Sequence, residues 1–219
     1  MKTIRKTMLS AAASALVLSS VGTPVVLAQS AANQTALVDY VNPLMGTDSS
    51  YRLSYGNTYP AVAVPFGMNS WTPVTGEPGS GWGYTYDGEK ISGIKQTHQP
   101  SPWMNDYAAF ALMAETGPVK IKQQERGSWF SHKAEVARPY SYKVYLADYD
   151  VTAEVAPTER AAQFRFTFPQ SDDAHILLDG LAGGSMVKVD VKNRRITGYV
   201  RNNNGGVPHN FHNYFVAEF

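Results

Sequence analysis

The fold is decided by the stretch Tyr140-Ser141-Tyr142-Lys143-Val144-Tyr145-Leu146. Tyr140, Tyr142, Val144 and Leu146 alternate with the residues between them, and this period of two is typical of a half-buried strand. Further along, Gln163-Phe164-Arg165-Phe166-Thr167-Phe168 alternates in the same way and stops at Pro169. The two stretches therefore predict two β-strands, each with one buried face.

Other short strands are predicted on either side of the second stretch. They cover residues 151–155, 175–178, 187–191, 196–200 and 214–219. Turn signals separate them, the strongest being Asn202-Asn203-Asn204-Gly205-Gly206. Many short strands with almost no helical pattern indicate an all-β protein built as an antiparallel β-sandwich.

The composition excludes several classes of protein. The 219 residues are 43% hydrophobic and 17% charged, which is too apolar for a disordered chain. A net charge of +1 gives no basic field that would attract nucleic acid, so no nucleic-acid partner is expected. With no cysteine, the fold has no disulfide and depends on a core, a metal or a partner domain.

The N-terminus has the three-part pattern of an export signal. Lys2, Arg5 and Lys6 form a basic region, residues 8–21 are small and apolar, and Ala28 ends the segment before a polar residue. An uncleaved membrane anchor is the alternative, although the apolar run is short for a stable span. We expect an exported protein, periplasmic or extracellular, with no membrane contact after cleavage.

This pattern divides the chain into three parts. Residues 1–28 are predicted to be the signal peptide, residues 29–37 a polar linker, and residues 38–219 the β-sandwich domain. The last residues, 215–219, lie in mid-strand pattern, so we expect the domain to be incomplete at its C-terminus. A genuine terminal strand is the alternative.

Three loop segments carry the residues suited to chemistry, namely 42–68, 81–86 and 97–107. They combine glycines with aromatic rings, which stack on sugars, and with short polar groups, which bind hydroxyls. Filling of the sandwich core is the competing interpretation for each ring. The five histidines form no close pair motif on a helix, and no nucleophile elbow, dinucleotide motif or P-loop is present. His209 and His212, near a turn, are a weak candidate pair for a metal, and an ordinary hairpin end is the favoured interpretation.

The segments together resemble the opening of glycoside hydrolase family 92, a family of exo-acting, calcium-dependent α-mannosidases. The resemblance rests on these stretches, in order: Val41-Asn42-Pro43-Leu44-Met45-Gly46-Thr47, Gly56-Asn57-Thr58-Tyr59-Pro60, Val64-Pro65-Phe66-Gly67-Met68, Gly83-Tyr84-Thr85-Tyr86, Ile91-Ser92-Gly93, Thr97-His98-Gln99-Pro100-Ser101-Pro102-Trp103 with Asp106-Tyr107, His132 with Glu135, Pro139-Tyr140-Ser141-Tyr142 and Val155-Ala156-Pro157-Thr158-Glu159-Arg160. Pro100-Ser101-Pro102-Trp103 replaces the Leu-Ser-Gly type of other members.

The resemblance implies a two-domain enzyme, with this sandwich followed by a helical (α/α)₆ barrel. It implies inversion at the anomeric carbon, with the catalytic acid, the catalytic base and most calcium contacts in the helical domain. No catalytic or metal-binding residue is therefore assigned to this chain. By motif, the substrate-binding residues are expected to be Leu44, Met45 and Gly46, with Trp82, His98 and Trp103 as further loop contacts.

The resulting hypothesis is the N-terminal sandwich of an exported α-mannosidase that trims mannose-containing glycans. Its partners are those glycans and the helical domain, its cofactor is calcium held by that domain, and the fragment alone is expected to be inactive. Two alternatives are a stand-alone carbohydrate-binding module without hydrolytic activity and a structural interaction domain without affinity for sugar.

Overall fold

The computed structural model describes residues 36–48, 56–76, 83–98 and 106–219. The predicted signal peptide and nearly all of the predicted linker lie outside these residues, and so do Trp82 and Trp103. None of the helices in the four ranges has the length and apolar character needed to cross a membrane.

Within the described ranges, the chain is built almost wholly of β-strands. The one short 3₁₀ turn, Leu37–Tyr40, and the one α-helical turn, α1 (Gln123–Arg126), are four residues each. The strands are β1 (Ser70–Val74), β2 (Lys90–Ile91), β3 (Gly93–Thr97), β4 (Ala111–Thr116), β5 (Ser128–Trp129), β6 (Val136–Arg138), β7 (Ser141–Leu146), β8 (Val151–Pro157), β9 (Ala162–Thr167), β10 (Ala174–Asp179), β11 (Ser185–Asp190), β12 (Arg195–Val200) and β13 (Asn213–Glu218).

The described strands form antiparallel sheets. Two sheets have four strands, in the orders β1-β3-β4-β10 and β6-β7-β8-β9, and β8 packs on β1 and β4. A third sheet has the order β11-β12-β13, and β2 pairs with β5. The prediction of an all-β antiparallel sandwich is therefore confirmed.

The register of β7 and β8 explains why alternation predicted these strands. Tyr142 pairs with Val155, and Val144 pairs with Ala153, so that the buried side chains of both strands share one face. The intervening residues of β7 point to solvent. Tyr140, which opens the alternating stretch, lies in the turn before β7 and is exposed.

The three-stranded sheet is less buried than its apolar pattern suggests. Val200 of β12 is fully buried and Phe215 of β13 stacks on Phe110, with ring centroids 4.9 Å apart, so these two strands join the core. On β11, an edge strand of this sheet, Val187 and Val189 are exposed. Alternation in the sequence identifies an apolar face but not what covers that face. The sequence alone therefore predicted these strands to be part of the core.

An apolar groove of about 830 Å³ opens between β9, β10 and β13. Phe164, Phe166, Phe168 and Phe215 supply much of its wall, together with Leu178. These phenylalanines are only partly buried, although they pack against the core. The groove is a large apolar surface that the described residues leave open.

Candidate functional site

The candidate site is a group of loops gathered around the turn that contains Leu44, Met45 and Gly46. Asn42 starts the turn, because its side-chain oxygen accepts a hydrogen bond from the backbone N–H of Leu44 at 3.0 Å. Thr47 ends it by donating from both its backbone N–H and its hydroxyl to the carbonyl oxygen of Leu44, at 3.2 and 2.7 Å. Short polar side chains at both ends thus fix a local turn.

The turn leaves one apolar side chain in solvent. Met45 is 75% exposed, whereas Leu44 is half-buried and Thr47 is buried. Gly46 has a φ of +82°, a conformation that glycine adopts without steric cost. We name the residues 44–47 the turn, and the loops that contact it complete the site.

The first of these loops lies directly against Gly46. The backbone N–H of Thr58 donates to the carbonyl oxygen of Gly46 at 3.0 Å, and the Thr58 hydroxyl donates to that of Met45 at 2.9 Å. A Cβ atom added at Gly56 would lie 2.6 Å from the Cα atom of Gly46. The close approach of the backbone at Gly56 to the backbone at Gly46 therefore requires glycine at position 56.

The second loop carries Tyr84 and Tyr86. The backbone N–H of Tyr86 donates to the carbonyl oxygen of Thr47 at 2.9 Å, which joins this loop to the turn. The carbonyl oxygen of Tyr86 lies 2.6 Å from Nε2 of His132. The backbone N–H and the carbonyl oxygen of Tyr86 are thus bonded to different parts of the chain.

A buried carboxylate supports this second loop from behind. Glu135 Oε2 lies 2.6 Å from His132 Nδ1, and Glu135 Oε1 accepts hydrogen bonds from the hydroxyls of Tyr142 at 2.6 Å and Tyr84 at 3.3 Å. Burial raises the pKa of both tyrosines well above the usual range, and the charge of Glu135 raises it further. Both hydroxyls therefore stay protonated and serve as donors to the carboxylate.

His98 lies in a second polar group at the end of β3. The Asp106 carboxylate accepts hydrogen bonds from the backbone N–H groups of His98 at 3.1 Å and Tyr107 at 2.9 Å, and it lies 3.3 Å from the Lys95 ammonium. The His98 ring stacks on Tyr107 with centroids 4.5 Å apart. One carboxylate thus fixes the backbone on both sides of the segment 99–105.

The charge of Asp106 is set by these neighbours. Burial alone would raise the pKa of its carboxyl, but the His98 side chain, the Lys95 ammonium and the two backbone N–H groups outweigh burial and lower that pKa to about 2. His98 Nδ1 is 3.6 Å from the carboxylate, longer than a hydrogen bond, so Lys95 and the backbone are the closer partners.

Tyr59 connects the two groups. It follows Thr58, which is bonded to the turn, and the Lys95 ammonium lies 5.8 Å from the centre of its ring. Burial raises the pKa of the Tyr59 hydroxyl above its usual range, and the Asp106 charge adds to this effect. The predicted contacts Leu44, Met45 and Gly46 therefore form one surface turn. His98 is connected to it indirectly, through Asp106, Lys95 and Tyr59.

The sequence analysis quoted His132 and Glu135 only as part of the family resemblance and gave them no role at the site. His132 and Glu135 are three residues apart, the spacing of two side chains across a single turn, and that spacing is the only local signal of their pairing. Among the residues that the structure describes, no three metal-ligating side chains converge on one point.

Comparison with known proteins assigns the chain to a family of carbohydrate-active enzymes. The model of the glycosyl hydrolase family 92 N-terminal domain matches residues 40–219, so the chain belongs to this family, as the sequence resemblance indicated.

Two solved structures show how the domain relates to longer proteins. A family 92 inverting mannosidase from Bacteroides thetaiotaomicron is 50% identical with a TM-score of 0.78, over 83% of this chain and 24% of that one. A family 92 α-mannosidase from the same organism, in complex with mannoimidazole, is 31% identical with a TM-score of 0.66, over 82% and 24%. The chain therefore spans about a quarter of the length of these relatives.

A curated relative is more distant. A protein of Arthroderma benhamiae, described as an uncharacterized secreted glycosidase, is 25% identical over 141 residues, which is 61% of this chain and 17% of that protein.

Proposed function

We propose that this chain is the N-terminal sandwich domain of an exported α-mannosidase that hydrolyses terminal α-linked mannose from glycans with inversion. The observation that carries the proposal is the 50% identity to a protein described as an inverting mannosidase. The mannoimidazole complex of a second relative supports mannose as the sugar that is recognised.

Within this proposal, the turn forms one wall of the sugar site. Met45 offers an exposed apolar side chain, and the backbone of Leu44 and Gly46 is fixed by the bonds from Thr47 and Thr58. His98, Trp82 and Trp103 are further proposed contacts. A wall of this kind positions the sugar ring and excludes water.

The reacting groups belong to the rest of the enzyme in this proposal. Inversion needs two carboxyl groups about 6.5–9.5 Å apart, so that a water molecule fits between the base and the sugar. The resemblance assigns both groups, and the calcium, to the helical domain. The chain alone is accordingly proposed to be inactive.

The test is an assay of the longest reading frame that contains this sequence. On α-linked mannobioses, proton NMR should show β-mannose as the first product, with activity lost on chelation and restored by calcium. A product released first as the α-anomer would refute inversion, and no release from any linkage would refute the mannosidase.

A matched pair of variants tests the turn. Met45→Ala should raise KM several-fold, because an exposed side chain of the sugar wall is lost. Met186→Ala, which truncates an exposed methionine on β11, should leave KM unchanged. Equal KM values for the two variants would remove Met45 from the sugar site.

A stand-alone carbohydrate-binding module is the second candidate, because the loops around the turn carry the proposed sugar contacts and none of the proposed reacting groups. Titration calorimetry of this chain with mannose separates the two functions. Binding by the chain, together with no hydrolysis by the longer reading frame, would favour the module.

A further inference from the structure

The aromatic ring of Tyr86 is held in a fixed position beside the turn. Its backbone is bonded to Thr47 on one side and to His132 on the other, at 2.9 and 2.6 Å. The ring also stacks on the imidazole of His132, with centroids 4.0 Å apart and planes inclined by 10°. Because both its backbone and its ring are anchored, this tyrosine has little conformational freedom to lose on binding a ligand.

The imidazole that supports this ring is itself fixed. Glu135 holds Nδ1, and the edge of the Phe130 ring packs against the imidazole with centroids 4.9 Å apart at 80°. A carboxylate and a carbonyl oxygen both accept, so the imidazole serves Glu135 and Tyr86 together when each ring nitrogen carries a proton.

The supported ring still meets solvent. Tyr86 is 38% exposed although one face is covered by His132. A hydrogen bond from its backbone N–H to Thr47 brings the residue close to the turn that carries Leu44 and Met45, which is the proposed sugar wall. A rigid aromatic face with a polar tip is well suited to pack on the C–H side of a pyranose and to hydrogen-bond a hydroxyl.

We propose that Tyr86 is a sugar-stacking residue of the glycan site, and that His132 is the positioning residue that fixes its ring. The ligand is a pyranose ring of a mannose-containing glycan, bound between Tyr86 and the turn. This inference rests on the proposed function, because it names a further contact of that same site.

The experiment is kinetic and uses the full protein that contains this sequence. Tyr86→Ala and Tyr86→Leu should raise KM for an α-linked mannobiose about tenfold with kcat changed less than about twofold, as loss of uniform substrate binding requires. Tyr86→Phe keeps the ring and should stay within about threefold of the wild-type KM. Tyr145→Ala removes a similarly exposed tyrosine, on β7, and should have no effect.

The positioning role of His132 has a separate readout. His132→Gln should raise KM although the side chain does not touch the sugar, and the double variant with Tyr86→Ala should have nearly the KM of Tyr86→Ala alone. Independent effects that multiply would show that His132 does not act through Tyr86. Thermal melting of each variant verifies that it is folded.

The outcomes distinguish this inference from the proposed function. If the wild-type protein hydrolyses mannobiose and Tyr86→Leu folds with an unchanged KM, the stacking role is refuted and the mannosidase stands. If the wild-type protein hydrolyses no mannoside, the proposed function and this inference both fail. A fall in kcat alone, at constant KM, would also overturn a stacking role in substrate binding.

Discussion

Nδ1 of His132 lies 2.6 Å from Oε2 of Glu135, and the Glu135 side chain is wholly buried. The carboxylate is the centre of a network that also includes the hydroxyls of Tyr84 and Tyr142. Since each of these donors faces the same two oxygens, the network joins the 84–86 loop, β7 and the 132–135 turn.

Glu135→Gln should therefore lower the free energy of unfolding by about 3 kcal/mol. The glutamine amide has only one oxygen to accept hydrogen bonds from the three partners, and the substitution also removes the carboxylate charge at the centre of the network. Urea denaturation at neutral pH measures this difference. Glu218→Gln is the control, since Glu218 bonds Arg195 on the surface and should cost less than about 1 kcal/mol. Equal costs would show that the buried network is not a major source of stability.

Gly56 offers a test of the packing beneath the turn. Its φ is +121°, and a Cβ atom there would meet the backbone of Gly46 at 2.6 Å. Gly56→Ala should therefore destabilise the protein by about 3 kcal/mol or more, through strain and through displacement of the turn. Differential scanning calorimetry measures the loss.

Gly117→Ala separates these two causes. Gly117 has a φ of +80°, but a Cβ atom added there would meet nothing within 4 Å. Only the backbone conformation is penalised, at about 1–2 kcal/mol. If both variants melt at the same temperature, close packing against Gly46 has no measurable role.

The Asp106 carboxyl predicts a specific dependence of stability on pH. Its pKa falls from 3.8 to about 2 on folding, so the unfolded chain binds a proton more readily than the folded one between these values. The stabilisation is therefore complete above about pH 4 and is lost as pH falls towards 2, by about 2 kcal/mol. Urea midpoints between pH 2 and 5 measure it.

Asp106→Asn should abolish this acid-dependent part and also reduce stability at neutral pH by about 3–5 kcal/mol, because the buried Lys95 loses its counter-charge. The comparison variant is Asp190→Asn. Hydrogen bonds from Asn193 lower the pKa of Asp190 at the surface, and its loss should alter the pH profile far less. Identical pH profiles for the wild type and Asp106→Asn would contradict the assignment.

The strands that could be predicted from the sequence are those in which buried and exposed residues alternate with a period of two. β7 and β8 bury Tyr142, Val144, Val151 and Ala153 on one face, and alternation expresses that burial directly. The partner of a strand is not expressed in this way. β10 pairs with β4, placing His175 opposite Glu115 sixty residues earlier, and no local pattern specifies that choice.

The candidate site was predictable only in part for the same reason. Asn42 and Thr47 mark the turn locally, since their side chains bond within three residues. The contact between Tyr84 and Glu135 spans 51 residues and exists only because the strands bring the two loops together. Local sequence therefore predicts the turn, whereas the contacts that hold the neighbouring loop depend on how the strands pair and pack.

Arg126 illustrates a buried charge that ties separate elements. The guanidinium is fully buried, with Nε donating to the carbonyl oxygen of Ser92 and Nη2 donating to Asp179, both at 2.7 Å. Arg126→Lys keeps the charge but loses the planar arrangement of donors, so it should cost about 3 kcal/mol in unfolding free energy. Arg195→Lys, at an exposed pair, should cost less than about 1 kcal/mol, and chemical denaturation of both variants compares them. A tolerated Arg126→Lys would mean that charge alone suffices.

The apolar groove between β9, β10 and β13 leads to a prediction about the surface of this chain. Partly buried phenylalanines line about 830 Å³ of open space, and an open apolar groove of this kind offers a surface to hydrophobic dyes. The folded chain should therefore enhance the fluorescence of anilinonaphthalene sulfonate at neutral pH, and Phe166→Gln should reduce the enhancement severalfold. Tyr145→Gln, on the outer face of β7, should leave it unchanged. A cooperative melting transition in each variant excludes unfolding as the cause, and a dye signal insensitive to Phe166→Gln would place the binding elsewhere.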